Sequence, residues 1–333
     1  RRQRQMCIRD SVYTVVGVGS NGFPGYSPAF SDEYTRDSTA FYGELGVDLT
    51  DDLFVQAAVR YEDYSDFGAE TVYKIAAKYS LTDSFGVRGS FNTGFRAPTP
   101  GQQGTTNVST RLPNGFPVAT GLFPASGPVA QALGAKALLP ELSDNFSVGI
   151  TGTIGEIDFT LDYYSIEVSD YFSAISTLDV STTVPSDPET YLDDDGAVDP
   201  GAYADAVAAY ANYNALDAAG VSGANSIGGV FYFTNAYDYS VSGWDLVATY
   251  PIDWDAGSTL IGVTISNSER EFDSDPSAYL NEEGRYDVIN FDPNMRMVTS
   301  VTHTVGDYKF MTRWSYYGEA SNFNSDEIET FDP

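Results

Sequence analysis

Apolar and polar residues alternate along Phe41-Tyr42-Gly43-Glu44-Leu45-Gly46-Val47-Asp48-Leu49. Phe41, Leu45, Val47 and Leu49 share one face, and Tyr42, Glu44 and Asp48 the other. The pattern resumes as Leu53, Val55, Ala57, Val59 and Tyr61 against Gln56, Arg60 and Glu62. A two-residue period places successive side chains on opposite faces of a β-strand. The same reading predicts strands over 12–18, 38–50, 53–63, 71–80, 85–93, 143–153, 157–169, 229–250, 258–268, 294–304 and 308–318.

The connections alternate in length. Thr50-Asp51-Asp52, Leu81-Thr82-Asp83-Ser84, Gly155-Glu156, Pro251 to Gly257, and Val305-Gly306-Asp307 are short turns. A medium loop lies over 63–68 and long loops over 94–141, 170–228 and 269–293. Strands of about ten residues, one face apolar and one charged, joined in this way, describe the wall of an outer-membrane barrel. In lipid every backbone N–H and C=O needs a partner, and a closed sheet supplies it without an edge. The predicted class is all-β, a transmembrane antiparallel up-and-down β-barrel. Its lipid face is assigned to Phe41, Leu45, Val47, Val55, Val59, Tyr73, Ile75, Val87, Phe91, Phe159 and Leu161. Tyr79, Phe85, Tyr250 and Tyr308 fall near the short turns, and Tyr61, Tyr73, Trp314 and Tyr316 near the long loops, as two aromatic girdles. Within 170–228 a short helix is predicted, with Asp199 as N-cap, Pro200 in its first turn and Gly220 as its stop. Tyr203, Ala206, Val207 and Tyr210 would share one of its faces.

Charge narrows the partners. The chain has 47 acidic and 17 basic residues, a net charge of −30. Nucleic acid is excluded, because its phosphates call for Lys and Arg. The acids gather in the long loops, as in Asp187-Pro188-Glu189 and Asp193-Asp194-Asp195, where they solvate the surface or attract cations. One cysteine, Cys7, and one histidine, His303, leave no disulfide within the chain and no zinc cluster. Residues 1–11, Arg1-Arg2-Gln3-Arg4-Gln5-Met6-Cys7-Ile8-Arg9-Asp10-Ser11, are basic and patternless. They resemble translated adaptor sequence and are not a signal peptide, since no apolar stretch follows. They are expected to be non-native, with 12–333 as the domain proper and the native chain beginning upstream.

Few motifs carry chemistry. Gly17-Val18-Gly19-Ser20-Asn21-Gly22 has the dinucleotide spacing, but Phe23-Pro24-Gly25 follows where a helix would be needed. Setting Gly196 as the invariant glycine of a calcium loop puts Tyr191 and Ala202 at ligand positions, so no EF-hand exists. His303 sits in a strand with no nucleophile elbow nearby, and a barrel-wall role is expected. The abundant carboxylates are read as solvation rather than a glycosidase pair. No cofactor and no catalytic residue is expected.

Three strings invite comparison. Arg60-Tyr61-Glu62 leads to Tyr64-Ser65-Asp66-Phe67-Gly68; Gly94-Phe95-Arg96-Ala97-Pro98-Thr99-Pro100 opens the first long loop; Leu139-Pro140-Glu141-Leu142-Ser143 closes it. With Phe233-Thr234-Asn235 and Gly243-Trp244-Asp245, this ordered set resembles TonB-dependent outer-membrane receptors. The resemblance implies about half of a roughly 22-stranded barrel, with the plug domain and closing strands not in this chain. It implies TonB-dependent uptake of a scarce nutrient across the bacterial outer membrane, with an iron–siderophore as the default ligand. Cobalamin, haem and oligosaccharides stay open. The implied partners are the TonB complex, a small-molecule or metal-chelate ligand, and outer-membrane lipid. Ligand recognition would fall to the loops 94–141 and 170–228, with Arg96 a candidate contact that is more often a loop-holding residue. The alternatives are a passive porin and a secreted all-β enzyme or carbohydrate-binding protein. The last predicts that Phe41, Val47, Val59, Ile75 and Phe91 are buried between sheets.

Overall fold

The computed structural model describes residues 35–111, 118–193, 195–324 and 327–332. Residues 1–11, the predicted strand over 12–18 and the glycine-rich string over 17–22 lie outside them. In chain order the strands begin with β1 (Ser38–Asp48), β2 (Leu53–Tyr64), β3 (Gly68–Thr82) and β4 (Phe85–Arg96). Then come β5 (Asn107–Arg111), β6 (Val118–Leu122), β7 (Glu141–Ile154), β8 (Ile157–Ala174), β9 (Leu178–Asp179) and β10 (Ile227–Phe231). The chain continues with β11 (Phe233–Trp254), β12 (Gly257–Phe272), β13 (Met295–Val305), β14 (Tyr308–Tyr317), β15 (Ala320–Asn324) and β16 (Glu327–Phe331).

Two compact units divide these elements. One comprises Arg36–Ala97, Leu139–Phe172 and Asn235–Pro333. Its ten-stranded sheet runs β1-β2-β3-β4-β7-β8-β11-β12-β13-β14, each strand beside its predecessor in the meander. The registers carry the predicted facing across the sheet. Leu45, Ala57, Ile75, Phe91 and Phe146 form one row from β1 to β7. Met297 pairs with Tyr316 and Thr299 with Trp314 at the other side of the sheet. Opposite-facing rows are polar, as in Lys74 beside Asn92 and Asn92 beside Asn145.

The apolar face is bare. Phe41 is 68% exposed, Val47 41%, Val59 51%, Ile75 57% and Phe91 40%. A sandwich would cover these side chains, so the reading of a secreted all-β protein with them buried fails. A face of this extent calls for an apolar surrounding, and an antiparallel wall with one apolar and one polar side is what a lipid-spanning barrel requires.

Several boundaries depart from expectation, among them that β3 starts at Gly68 rather than 71 and β4 runs on to Arg96 rather than 93. The turn placed at Pro251 to Gly257 is tighter: β11 runs on, Pro251 pairs with Leu260, and Trp254 with Gly257. A proline forgoes one ladder donor but does not end the strand. The long strand over 229–250 is two strands, β10 and β11, which belong to different sheets. The loop over 269–293 starts only after Phe272 and contains a helix, Glu282–Asn290, capped by Asn281. Its Asp287 carboxylate accepts from Phe323 N–H at 2.7 Å, and Tyr286 meets Ser321, which seats the β15–β16 hairpin against it. Strand β8 extends to Ala174, beyond the expected 169.

The second unit comprises Pro98–Leu138 and Ser173–Thr234, the bulk of the two long loops. They are not separate excursions. Strand β6 of the first pairs in parallel with β10 of the second, in a four-stranded sheet ordered β5-β6-β10-β9. Ala119, Phe123, Ala130, Leu216 and Val230 form a buried core. Helix Pro200–Ala218 covers it, with Asp199 Oδ1 accepting from Gly201 and Ala202 N–H and Gly220 turning at φ 71°. At 19 residues it is longer than the short helix expected. Ala209 and Leu216 supply its buried contacts, while Val207 faces water.

Candidate functional site

The strings quoted from the sequence meet at the loop end of the sheet. Arg96 and Glu141 are register partners, the last residue of β4 and the first of β7. The guanidinium engages the carboxylate with both arms, Nε–Oε1 at 3.1 Å and Nη2–Oε2 at 2.6 Å. It also lies 5.6 Å from the Tyr171 ring centre and 5.0 Å from that of Phe172. Glu141 Oε2 accepts in addition from Phe172 N–H at 3.3 Å. A planar fork matched to a carboxylate and stacked on rings is a positioning arrangement. Arg96 therefore holds the mouth of the first long loop to its close. About half of its side chain stays exposed.

Asn235 makes the second tie. Its Oδ1 accepts from Leu139 N–H at 2.8 Å, and its Nδ2 donates to the carbonyls of Leu139 at 2.9 Å and Asp170 at 2.8 Å. Asp170 stands at φ 58°, a left-handed position that an aspartate adopts at some cost. Its backbone N–H donates to Asp238 Oδ1 at 2.8 Å, so both of its amide groups are clasped from β11. Gly243 answers a different need. A Cβ there would stand 2.2 Å from the Asn267 carbonyl and 2.8 Å from the Tyr164 hydroxyl, so only glycine fits. The sequence alone discloses no role for Asn235 or Gly243, because their partners are distant in the chain.

Behind these ties Tyr171, Tyr237, Tyr239 and Phe272 pack together, with Tyr171 against Tyr239 at 4.9 Å and Tyr237 against Phe272 at 5.0 Å. Ala236 and Leu280 complete the cluster. Arg270 stacks over Tyr239 at 5.9 Å and donates to the Val288 carbonyl at 2.6 Å. At the first medium loop, Arg36 pairs with Asp66 at 2.7 Å, and Glu62 takes hydrogen bonds from Arg60 and Tyr64. On the polar face of the sheet, Arg88 of β4 reaches Asp162 of β8 across Gly149 of β7, at 2.8 and 2.5 Å.

The long loops are rich in acid. Among the described residues no group of three His, Cys, Asp or Glu side chains is placed to hold a metal ion. Asp193 Oδ1 is occupied by the N–H groups of Asp195 and Ala197, an Asx turn. Partial removal from water, and then the charge of Asp205, hold the Asp179 carboxyl above its ordinary pKa. His303 lies in the sheet near a short turn, as expected, with Thr259 beside it at 2.7 Å.

An up-and-down antiparallel sheet with one bare apolar face and one polar face is the wall of a transmembrane β-barrel. The model of the family described as TonB dependent receptor-like, beta-barrel, matches residues 6–332, and the chain belongs to that family. A siderophore receptor, PirA of Acinetobacter baumannii, aligns over 97% of this chain and 42% of its own, at 17% identity and a TM-score of 0.56. The ferric enterobactin receptor PfeA of Pseudomonas aeruginosa aligns over 90% of this chain and 36% of its own, at 10% identity and a TM-score of 0.56. Both show the fold. Among curated proteins, the vitamin B12 transporter BtuB of Vibrio cholerae is 31% identical over 71 residues, 21% of this chain and 12% of that protein. The chain thus spans less than half the length of these relatives.

Proposed function

We propose that the chain is the barrel part of a receptor that takes up a scarce nutrient across the bacterial outer membrane, driven through TonB, with an iron–siderophore as ligand. The observation that carries this reading is the joining of the two long loops into one packed unit. A passive pore has no need of a folded loop body. A receptor that must recognise a dilute solute before transport does, because a preorganised surface loses less entropy on binding. Partners on this reading are TonB, through a part of the protein outside this chain, the ligand and the surrounding lipid. No covalent step falls to the barrel, and the named relatives are transporters and receptors rather than enzymes.

Cobalamin is the second reading, favoured by the 71-residue match to a vitamin B12 transporter. Cells expressing the full-length receptor as their sole candidate importer should accumulate radioiron from a ferric siderophore and lose that uptake when tonB is deleted. Uptake that persists without TonB would establish a passive channel. Accumulation of labelled cyanocobalamin in place of iron would replace the first reading by the second.

A further inference from the structure

His303 occupies an odd position. It is paired with Thr259 on one side and Phe310 on the other, in a row that belongs to the apolar face. Ile261, Val301, Ile252 and Tyr308 surround it on that face by register. An imidazole in such a row carries two ring nitrogens that need partners. One is served: Thr259 Oγ1 lies 2.7 Å from His303 Nδ1. Thr259 Oγ1 in turn accepts from Trp254 Nε1 at 2.8 Å.

The direction of the first bond in this chain is fixed by its donor. An indole N–H only donates. Thr259 Oγ1 accepts from Trp254, and the arrangement that also uses its own proton gives that proton to His303 Nδ1, the one further polar atom that meets it among the described residues. Nδ1 is then an acceptor, and the ring carries a proton on Nε2. That N–H has no described partner, and no carboxylate pairs with His303 among the described residues. Left in hydrocarbon it would carry the full desolvation cost of an unpaired donor.

Its depth supplies an answer. His303 stands two residues before the end of β13, where Val305 pairs with Tyr308 at the short-turn side. Trp254 and Tyr308, both exposed, flank the same level. Such rings settle at the headgroup plane of a bilayer. We propose that His303 Nε2–H is a binding group for the phosphate of a phospholipid headgroup at the short-turn end of the barrel, with Thr259 and Trp254 as positioning residues. The phosphate oxygen is anionic, so it makes a shorter and stronger hydrogen bond to the imidazole than water does. The inference rests on the membrane reading of the barrel.

The test uses the full-length receptor labelled with 15N-histidine, inserted in phosphatidylethanolamine nanodiscs. Magnetisation of one imidazole 15N should be dephased by 31P, and that resonance should vanish in His303→Phe. In Thr259→Val the ring loses its anchor, and most of the dephasing should be lost while heat-modifiable gel mobility stays that of a folded barrel. In discs of a phosphorus-free betaine lipid with added inorganic phosphate, no dephasing is expected; its appearance there would assign the group to free phosphate and overturn the lipid reading. Insertion of the wild-type receptor without dephasing overturns the inference alone. Failure of the wild-type receptor to insert overturns the membrane reading and the inference with it.

Discussion

Replacing Gly149 by alanine isolates what the polar face of the sheet asks of its middle strand. Gly149 of β7 stands between Arg88 of β4 and Asp162 of β8, and the ion pair passes over it. A Cβ built there would fall 2.0 Å from Asp162 Oδ1 and 2.9 Å from the Leu161 carbonyl. On backbone entropy alone, alanine in a strand is better than glycine by about 0.5–1 kcal/mol. Against this, the Asp162 carboxylate must swing away. The pair is partly exposed, with side chains 47% and 22% accessible, so its loss costs at most about 1 kcal/mol. The steric overlap adds about 1–3 kcal/mol, and overlap therefore decides the sign. Gly149→Ala should destabilise the barrel by about 1–3 kcal/mol, read from urea unfolding of the full-length receptor in lipid vesicles. Asp162→Ala alone should cost about 1 kcal/mol or less. The double variant should cost less than the sum, because the first contact is gone and the Leu161 carbonyl alone remains. Additive losses, or a neutral Gly149→Ala, would refute the claim that glycine is there to let the bridge pass.

The remaining expectations concern facing, topology and pH. Val59→Arg puts a charge on the apolar face and should destabilise by about 2–4 kcal/mol near mid-bilayer. Gln56→Arg, on the polar face where Gln56 meets Glu44, should cost far less, and equal losses would contradict the facing. In intact cells a cysteine at Ala197 should react with an impermeant maleimide and one at Asp52 should not; labelling at Asp52 would invert the topology. Deleting 175–225 should abolish ligand uptake yet leave heat-modifiable mobility unchanged, and uptake that survived would make the loop a shield. Asp179 has a raised pKa when folded. The folded state thus holds its proton where the unfolded chain has released it, so lowering pH through the folded value should stabilise the loop unit until the unfolded value is passed. Hydrogen exchange at Val180 and Ile227 should report this, and Asp179→Asn should remove the dependence.

The wall of the barrel was legible because one face must be apolar at every second residue and because its turns are short. Ten strands and their facing follow from that constraint. The helix of 200–218 was legible from its ends, Asp199, Pro200 and Gly220, rather than from its faces. The short strands of the loop sheet were not. β6 and β10 contain Gly121, Gly228 and Gly229, which admit neighbours too close for a side chain and leave no alternation to read. The helix Glu282–Asn290 had a signal, Asn281 followed by two glutamates in its first turn, but it lies in a charged stretch that reads as loop. Arg96 was visible as a motif residue. Its partner Glu141 was quoted from another string, and only the β4–β7 register shows that the two strings are one contact. The rim aromatics Tyr171 and Tyr239 come from different strands, and no local spacing could have joined them.

The parallel pairing of Gly121 with Val230 has a further consequence, for the order in which the protein is made. Between these partners the chain forms the whole β7–β8 hairpin. The loop sheet therefore cannot close until the chain of that hairpin has been made. Contacts so distant in sequence form late, since loop closure must precede any gain from them. A barrel whose strands have already inserted would still carry two unjoined outer segments for a time. On the proposed receptor function, recognition would then mature after insertion, as a last act of assembly, and a mutation confined to β6 or β10 would yield a complete wall without its loop sheet.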